Sequence, residues 1–535
     1  MPEFKTIHKR LAIGLCLTAI LVAAFLARAQ HFRAMYPYFY YQDEIRHAEM
    51  SLKVIREKTL EPDFYLYPHF PVYFNSVFYF GMFAARNAGQ VISQMSLAPV
   101  ITAAKNFDAS SWESIYFERC ISMALGLLCV FGVWLMARLF LSEMFALIAC
   151  LIFALLPLPL TLSVIGKNDI YQECFVIYSF YFLFRLIVNG KVRDYILAAI
   201  FAGICFDSKL NYLPLVFLPV ATLVRAANEN RSIPQWFWDR RTWLAGGASV
   251  LSLFVFSPYY FFNIRKGLQM VGWVYWISAF NSYSHIDYHH WWLDRYGYGM
   301  VVILPFLAGL PVYFSALAGF LERTIRIRIN VWFVMLANFG VFYYGYLAGS
   351  EGTFPPYTFM HLMPFFPVLA AWPLQLLWQK EWKKSSLACS LILIVCAFLN
   401  AQSYYAVNFA AFDEIGPRLV KEIPAGAKIL GYSVYQPGPA LAAFDYKRAW
   451  PQNLDRAAVN EFNPDYILVY RSDFSGFEKF YRDTHPVNGR LKELLSGKWG
   501  YHEADRLEVS YFCDSIFKWL DPEFMIELIL LEKNN

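Results

Sequence analysis

The sequence predicts an α-helical polytopic membrane protein of about 11 spans, followed by a small C-terminal α/β domain outside the membrane. Three observations carry this fold class. The 535-residue chain is 58% hydrophobic and 19% aromatic but only 16% charged, whereas soluble domains run near half apolar and a quarter charged. Several apolar runs reach the roughly 20 residues that cross a bilayer. Beyond about residue 406, charged residues become frequent and apolar runs shrink to strand length.

The net charge of +5 sits mostly in short loops between apolar runs. That distribution sets topology and excludes a nucleic-acid footprint. Cys16, Cys129, Cys150, Cys174, Cys205, Cys389 and Cys396 lie in or beside apolar runs, without a CxxC or Cys/His cluster. Structural zinc is thereby excluded as an expectation.

Lys5, His8, Lys9 and Arg10 precede the first span, roughly 11–26, and keep the N-terminus in the cytoplasm. No small-residue cleavage site follows, so this span reads as an uncleaved anchor. A long outer segment, about 30–114, comes next. Pro37, Pro62, Pro68, Pro71 and Pro99 prevent it from being one helix. Its aromatic-rich stretches at 36–41 and 65–80 read as interfacial helices. Span 2, about 117–137, ends inside at Arg138. Span 3, about 143–162, exits, and span 4, about 170–188, returns to Lys191 and Arg193. A single helix over 195–224 would leave Arg225, Arg231, Arg240 and Arg241 outside. Two short spans hinged outside at 207–211 keep them inside, and this is the preferred reading. Span 7 (243–262) exits to an outer loop, about 263–298, rich in Trp, Tyr and His. Spans 8 (299–320), 9 (331–348), 10 (359–377) and 11 (386–406) complete the membrane domain, 1–406. Residues 407–535 read as the α/β domain, with strands near 427–432, 466–470 and 524–531 and helices near 412–422 and 474–483.

On this topology Asp43, Glu44 and Asp169 share the outer face with Lys167, Lys209, Arg265, Lys266, His285, His289, His290, Glu351 and His361. Ionisable groups at bilayer level mark a site for an ion or polar substrate. Asp43 and Glu44 also suit the start of a helix over 45–56, one capping it and the other acting as a ligand. Carboxylates can hold a hard divalent cation, Mg or Mn, or take a proton from an attacking hydroxyl. Lysine and arginine can hold phosphate oxygens. Lys209 can equally snorkel to the interface, and His361 can serve as a local cap.

Three motifs resemble a known family. Tyr41-Gln42-Asp43-Glu44 is followed by Arg46-His47-Ala48, then Leu60-Glu61-Pro62-Asp63-Phe64 and Tyr67-Pro68-His69-Phe70-Pro71-Val72-Tyr73. Ser163-Val164-Ile165-Gly166-Lys167-Asn168-Asp169 opens span 4. Ala202-Gly203-Ile204-Cys205-Phe206 precedes Ser208-Lys209-Leu210-Asn211-Tyr212. Their order and common outer face resemble the GT-C glycosyltransferases over about residues 11–380. Within these the closest resemblance is to the bacterial protein O-mannosyltransferase-like and aminoarabinose-transferase-like group. The resemblance implies a polyprenyl-phosphate sugar donor and a catalytic or metal-linked aspartate at Asp43. A second acid falls on Asp169, and Glu44, Lys167, Lys209, Arg265, His289 and His361 are its expected substrate contacts. It further implies transfer to an envelope acceptor (protein, lipid or glycan) at the periplasmic face of a bacterial inner membrane. The rival readings are a lipid-linked-sugar flippase and a non-catalytic assembly subunit. A flippase predicts ionisable residues deep within spans and helices broken at mid-membrane.

Overall fold

The computed structural model describes residues 2–34, 39–62, 65, 68–276, 304–325, 330–341, 356–405, 411–432, 435–437, 439–449, 453–470, 486–509 and 526–534. Helix α1 (Pro2–Ala34) is followed by a short strand, β1 (Phe39–Tyr41), which runs directly into α2 (Gln42–Glu57). Helices α3 (Phe70–Arg86), α4 (Ala88–Gln94) and α5 (Ala98–Asn106) complete the segment between the first two long apolar helices. Its own small core is made by Ala48, Leu52, Tyr79, Phe83, Val100 and Ala104. The described end of the tyrosine-rich stretch differs from the interfacial helix expected there. Phe39–Tyr41 is extended and pairs antiparallel with Tyr435–Pro437.

The membrane domain is built from α6 (Trp112–Ala137), α7 (Glu143–Ala154), α8 (Pro157–Leu162), α9 (Asn168–Asn189), α10 (Val192–Lys209) and α11 (Leu213–Asn228). It continues through α12 (Ile233–Phe237), α13 (Arg240–Phe256), α14 (Pro258–Phe262), α15 (Ile264–Trp276), α16 (Leu304–Ala308), α17 (Leu310–Ile325) and α18 (Val331–Gly340). A 3-10 turn (Pro356–Leu362), α19 (Phe365–Gln379) and α20 (Lys383–Tyr405) close it. Among the described residues five helices are long and apolar enough to cross a membrane: Arg10–Phe32, Trp112–Ala137, Asn168–Asn189, Phe359–Gln379 and Lys383–Gln402. The Asn168–Asn189 stretch is 72% buried and Arg10–Phe32 only 17%, so α9 is a central helix and α1 a peripheral one. Around α9 a continuous core joins Val130, Phe145, Phe180, Ala199 and Phe365. Small residues let the helices approach: a Cβ on Gly203 of α10 would come within 2.4 Å of Ser252 Oγ on α13.

Several expected spans are interrupted. The run 143–162 divides into α7 and α8 because Pro157 and Pro159 remove amide donors. The run 243–262 breaks at Ser257, ahead of Pro258. Gly309, at φ +79, separates α16 from α17 within the expected span 8. Part of expected span 9 and much of the outer loop at 263–298 lie outside the described residues. The stretch 195–224 does form two helices. The turn between them begins at Leu210, held at φ +57, whose N–H donates to Phe206 O at 2.7 Å.

One end of the bundle gathers the basic loops. Arg225 Nη1 donates to Ile187 O and Val188 O, both at 3.0 Å, and Arg241 Nη1 donates to Gly190 O at 3.1 Å. These bonds join the C-terminal ends of α9 and α11 to the N-terminal end of α13. Arg241 also bonds Glu229 at 2.8 Å, and its guanidinium holds the Glu229 carboxyl down to about 2.

Beyond α20, helix α21 (Ala411–Glu422) precedes β2 (Lys428–Tyr432), β3 (Tyr435–Pro437), β4 (Asp445–Ala449), α22 (Arg456–Phe462) and β5 (Tyr466–Tyr470). Helix α23 (Pro486–Leu495), β6 (Tyr501–Val509) and β7 (Ile526–Lys533) follow. The five-stranded sheet has order β4-β2-β5-β7-β6, parallel over its first three strands and antiparallel over the rest. Leu430, Ile467, Val469, Ile529 and Leu531 pack against Val459, Leu491 and Leu494 of the two helices. Strands β4 and β6 are additions to the sequence reading. The helix expected at 474–483 lies outside the described residues.

Candidate functional site

Asp43 and Glu44 both stand in the first turn of α2, where the helix dipole favours carboxylates. Adjacent helical residues point about 100° apart, and the two acids meet opposite surroundings. Glu44 is completely buried. Arg119 of α6 grips it with a two-pronged fork, Nε to Oε1 at 2.7 Å and Nη2 to Oε2 at 2.8 Å. The Gly166 N–H adds a third bond to Oε1 at 3.0 Å. This close approach favours glycine: a Cβ at 166 would lie 3.0 Å from Glu118 Cβ and crowd it. Glu118 accepts from Asn75 Nδ2 at 3.0 Å, and Asn75 Oδ1 accepts from the Tyr171 hydroxyl. Glu44, expected at the substrate, is thus committed to fastening α2, α6 and the loop before α9 to one another.

Asp43 is half-exposed, and its Oδ2 meets Lys167 Nζ at 3.1 Å. Two residues beyond Lys167, Asp169 occupies the first turn of α9. It is buried and ion-paired with Lys209 from the last turn of α10. The sequence-predicted acids and lysines therefore assemble as two pairs, Asp43–Lys167 and Asp169–Lys209, at the end of α9 opposite the arginine cluster. Lys209 does not merely snorkel.

The turn that presents Lys209 is pinned from behind. Asn211 Nδ2 donates to His361 Nδ1 at 3.0 Å, and Asn211 Oδ1 accepts from the Leu213 N–H at 3.2 Å. His361 Nε2 then carries the ring proton and donates to Asn338 Oδ1 at 2.9 Å. His361 is fully buried, so this expected substrate contact instead positions the α10–α11 turn. Arg265 is exposed on α15. Its neighbour Lys266 pairs with Glu61 at 3.3 Å and lies 5.1 Å over the Tyr65 ring. His289, along with His285, His290 and Glu351, lies outside the described residues.

Three buried groups at or near this site had no role in the sequence reading, although His47 stood in the first of its motifs. His47 lies one helical turn after Asp43, beneath it, within electrostatic reach of Asp43, Lys167 and Asp169. Burial pushes its imidazole down to about 4. Its i, i+4 spacing from Asp43 was the available signal. Glu118 and Arg119 are an acid and a base inside an otherwise apolar run, a mark of a polar site in a span.

Residues 103–262 match the family model described as dolichyl-phosphate-mannose-protein mannosyltransferase. That stretch holds Lys167, Asp169 and Lys209, and it bears out the resemblance read from the sequence. No curated protein matches the chain at a significant level. Among solved structures, ArnT from Cupriavidus metallidurans in the apo state is 12% identical, with 97% of this chain and 98% of that chain covered, at a TM-score of 0.49. The same protein bound to undecaprenyl phosphate is 12% identical, covering 86% of this chain and 94% of that one, at 0.48. The archaeal oligosaccharyltransferase AglB from Archaeoglobus fulgidus, in complex with an inhibitory peptide and a dolichol-phosphate, is 11% identical. It covers 86% of this chain and 70% of that chain, at 0.44.

Proposed function

We propose that the protein is an integral-membrane glycosyltransferase, a hexosyl- or pentosyltransferase that moves a sugar from a polyprenyl-phosphate donor to an envelope acceptor. The observation that carries this reading is the double acid–lysine constellation, Asp43–Lys167 and Asp169–Lys209, at one end of the membrane bundle. A lipid phosphate leaving group needs neutralising cations at the bilayer surface, and an acceptor hydroxyl or amine needs a base beside them. Asp43, half-exposed, is that base. Asp169 is buried, and it holds Lys209 in place. The match over 103–262 supports the same reaction class.

The family resemblance also implies a divalent cation on Asp43 and Asp169. Hard cations gather several oxygen ligands. Here each aspartate already faces an ammonium, and among the described residues no group of three or more His, Cys, Asp or Glu side chains comes together. These residues fit a bound divalent cation poorly, and the lysines supply the positive charge in this reading. The site faces the periplasm of a bacterial inner membrane, because the arginine-rich ends of α9, α11 and α13 belong in the cytoplasm. In this reading the C-terminal segment, whose Tyr435–Pro437 pairs with the strand leading into the Asp43 helix, helps receive the acceptor.

The test is turnover by the purified protein on a polyprenyl-phosphate sugar, read as release of polyprenyl phosphate and unchanged by chelators. Transfer from a nucleotide sugar alone refutes the reading. For orientation, a cysteine at the exposed Lys498 should react with a membrane-impermeant maleimide added from the periplasmic side. Labelling only from the cytoplasm overturns the topology.

A further inference from the structure

We infer that the lipid phosphate arms the base by taking Lys167 away from Asp43; this rests on the transferase reading above and adds its order of events. Without substrate each ammonium faces a carboxylate, Lys167 against Asp43 and Lys209 against Asp169. An arriving phosphate brings a further negative charge that competes with these carboxylates for the ammoniums. The two pairs differ in how readily they part. Asp169 is 3% exposed and Lys209 is 18%; separating them strands a charge in a buried setting, which is strongly disfavoured. Asp43 is 50% exposed. Its carboxylate stays hydrated when the pair parts, and Lys167, which is 11% exposed, keeps an anionic partner by turning to the phosphate. Lys167 itself stands at the N-cap of α9, with a backbone already extended (φ −127, ψ 158) and the flexible stem of a lysine. Lys167 is therefore the mobile cation and Lys209 the fixed one.

The transfer has a chemical consequence. While Lys167 sits on Asp43 Oδ2 its positive charge offsets the negative charge that draws an acceptor proton to either carboxylate oxygen. Once Lys167 moves to the phosphate, that charge is available to the acceptor. The acceptor oxygen or nitrogen then attacks the sugar C1, and its proton passes to Asp43. The C1–O bond breaks, and the phosphate leaves with the bonding pair, held by Lys167 and Lys209. An acceptor that arrives before the donor meets a carboxylate still paired with Lys167. Donor binding thus precedes activation.

A zero-length carbodiimide cross-link reads the hand-off directly. In the lipid-free protein the 3.1 Å pair should yield an Asp43–Lys167 amide, identified as a joined peptide by mass spectrometry. Polyprenyl phosphate should abolish that peptide in step with its occupancy, measured separately as a rise in thermal midpoint. Polyprenyl alcohol, with the same tail and no phosphate, should leave it unchanged. An undiminished cross-link with polyprenyl phosphate bound overturns the hand-off while leaving the transferase reading intact. Equal suppression by the alcohol, or no cross-link in the lipid-free protein, overturns it as well. Failure of polyprenyl phosphate to bind at all removes the transferase reading, and the inference with it.

Discussion

Glu44→Gln separates fastening from chemistry, because Glu44 and Asp43 are neighbours with opposite surroundings. The variant keeps volume and an oxygen for the Gly166 N–H but removes the charge that Arg119 grips at 2.7 and 2.8 Å. Arg119 is 3% exposed, so its guanidinium is left buried without a counter-charge, and breaking such a pair costs about 3–5 kcal/mol. Arg119→Met should cost a similar amount, since it leaves Glu44 facing Glu118 across Gly166. The double variant removes both charges at once. With the Gly166 bond retained it should cost only about 1–2 kcal/mol, against about 6–10 kcal/mol for the two single variants together, a coupling of at least about 4 kcal/mol. Unfolding by dodecyl sulfate in mixed micelles, followed by tryptophan fluorescence, measures all three. Turnover per folded molecule in Glu44→Gln should stay close to that of the parent chain. The reasoning fails if Glu44→Gln unfolds within about 0.5 kcal/mol of the parent, or if it loses turnover with its stability intact, which would make Glu44 the base.

Asp43→Asn should reduce turnover by about 10²–10⁴-fold with a moderate loss of stability, since the half-exposed Asp43 leaves Lys167 at 11% exposure without its carboxylate, whereas Asp169→Asn removes a carboxylate that is only 3% exposed and should cost more stability along with turnover; steady-state rates beside unfolding curves separate the two. His47 gives an acid-side limit: its imidazole is held down to about 4 against an ordinary 6.5. Between those values the unfolded chain takes a proton that the folded chain refuses. Stability therefore falls as pH drops from about 6.5 to about 4, by on the order of 3 kcal/mol, and unfolding midpoints of His47→Gln should lose that slope. Gly166→Ala should destabilise by about 1–3 kcal/mol through crowding of Glu118, seen in the same unfolding assay.

Much of this arrangement was legible from hydropathy and charge. The two-helix reading of 195–224 followed from where four arginines had to lie, and the structure turns at Leu210 within the stretch chosen as the hinge. The acids and lysines of the candidate site were found because each stands at a helix end on one face. Their partners were less accessible. Glu44 meets Arg119 across 75 residues and Lys209 meets Asp169 across 40, and such pairings are made by helix packing, for which local sequence carries no register. The interruptions at Pro157 and Pro258 were written in the sequence, but a hydropathy window averages over them. His361 drew notice as a polar residue opening an apolar run. Its role depends on Asn211 and Asn338, whose amides are unremarkable until the fold sets them on either side of the ring.

The short pairing of Phe39–Tyr41 with Tyr435–Pro437 has a consequence for biogenesis. Those three residues lead straight into the helix that carries Asp43, yet their partner strand emerges from the ribosome roughly 400 residues later, a delay of about 20–80 s at ordinary synthesis rates. Throughout that interval the anchor and early helices can insert and pack, while the entry to the Asp43 helix still lacks its edge. A truncated or stalled product keeps its membrane spans and lacks this closing contact. Completion of the chain thereby closes the edge that leads into the Asp43 helix, and half-made copies lack that contact.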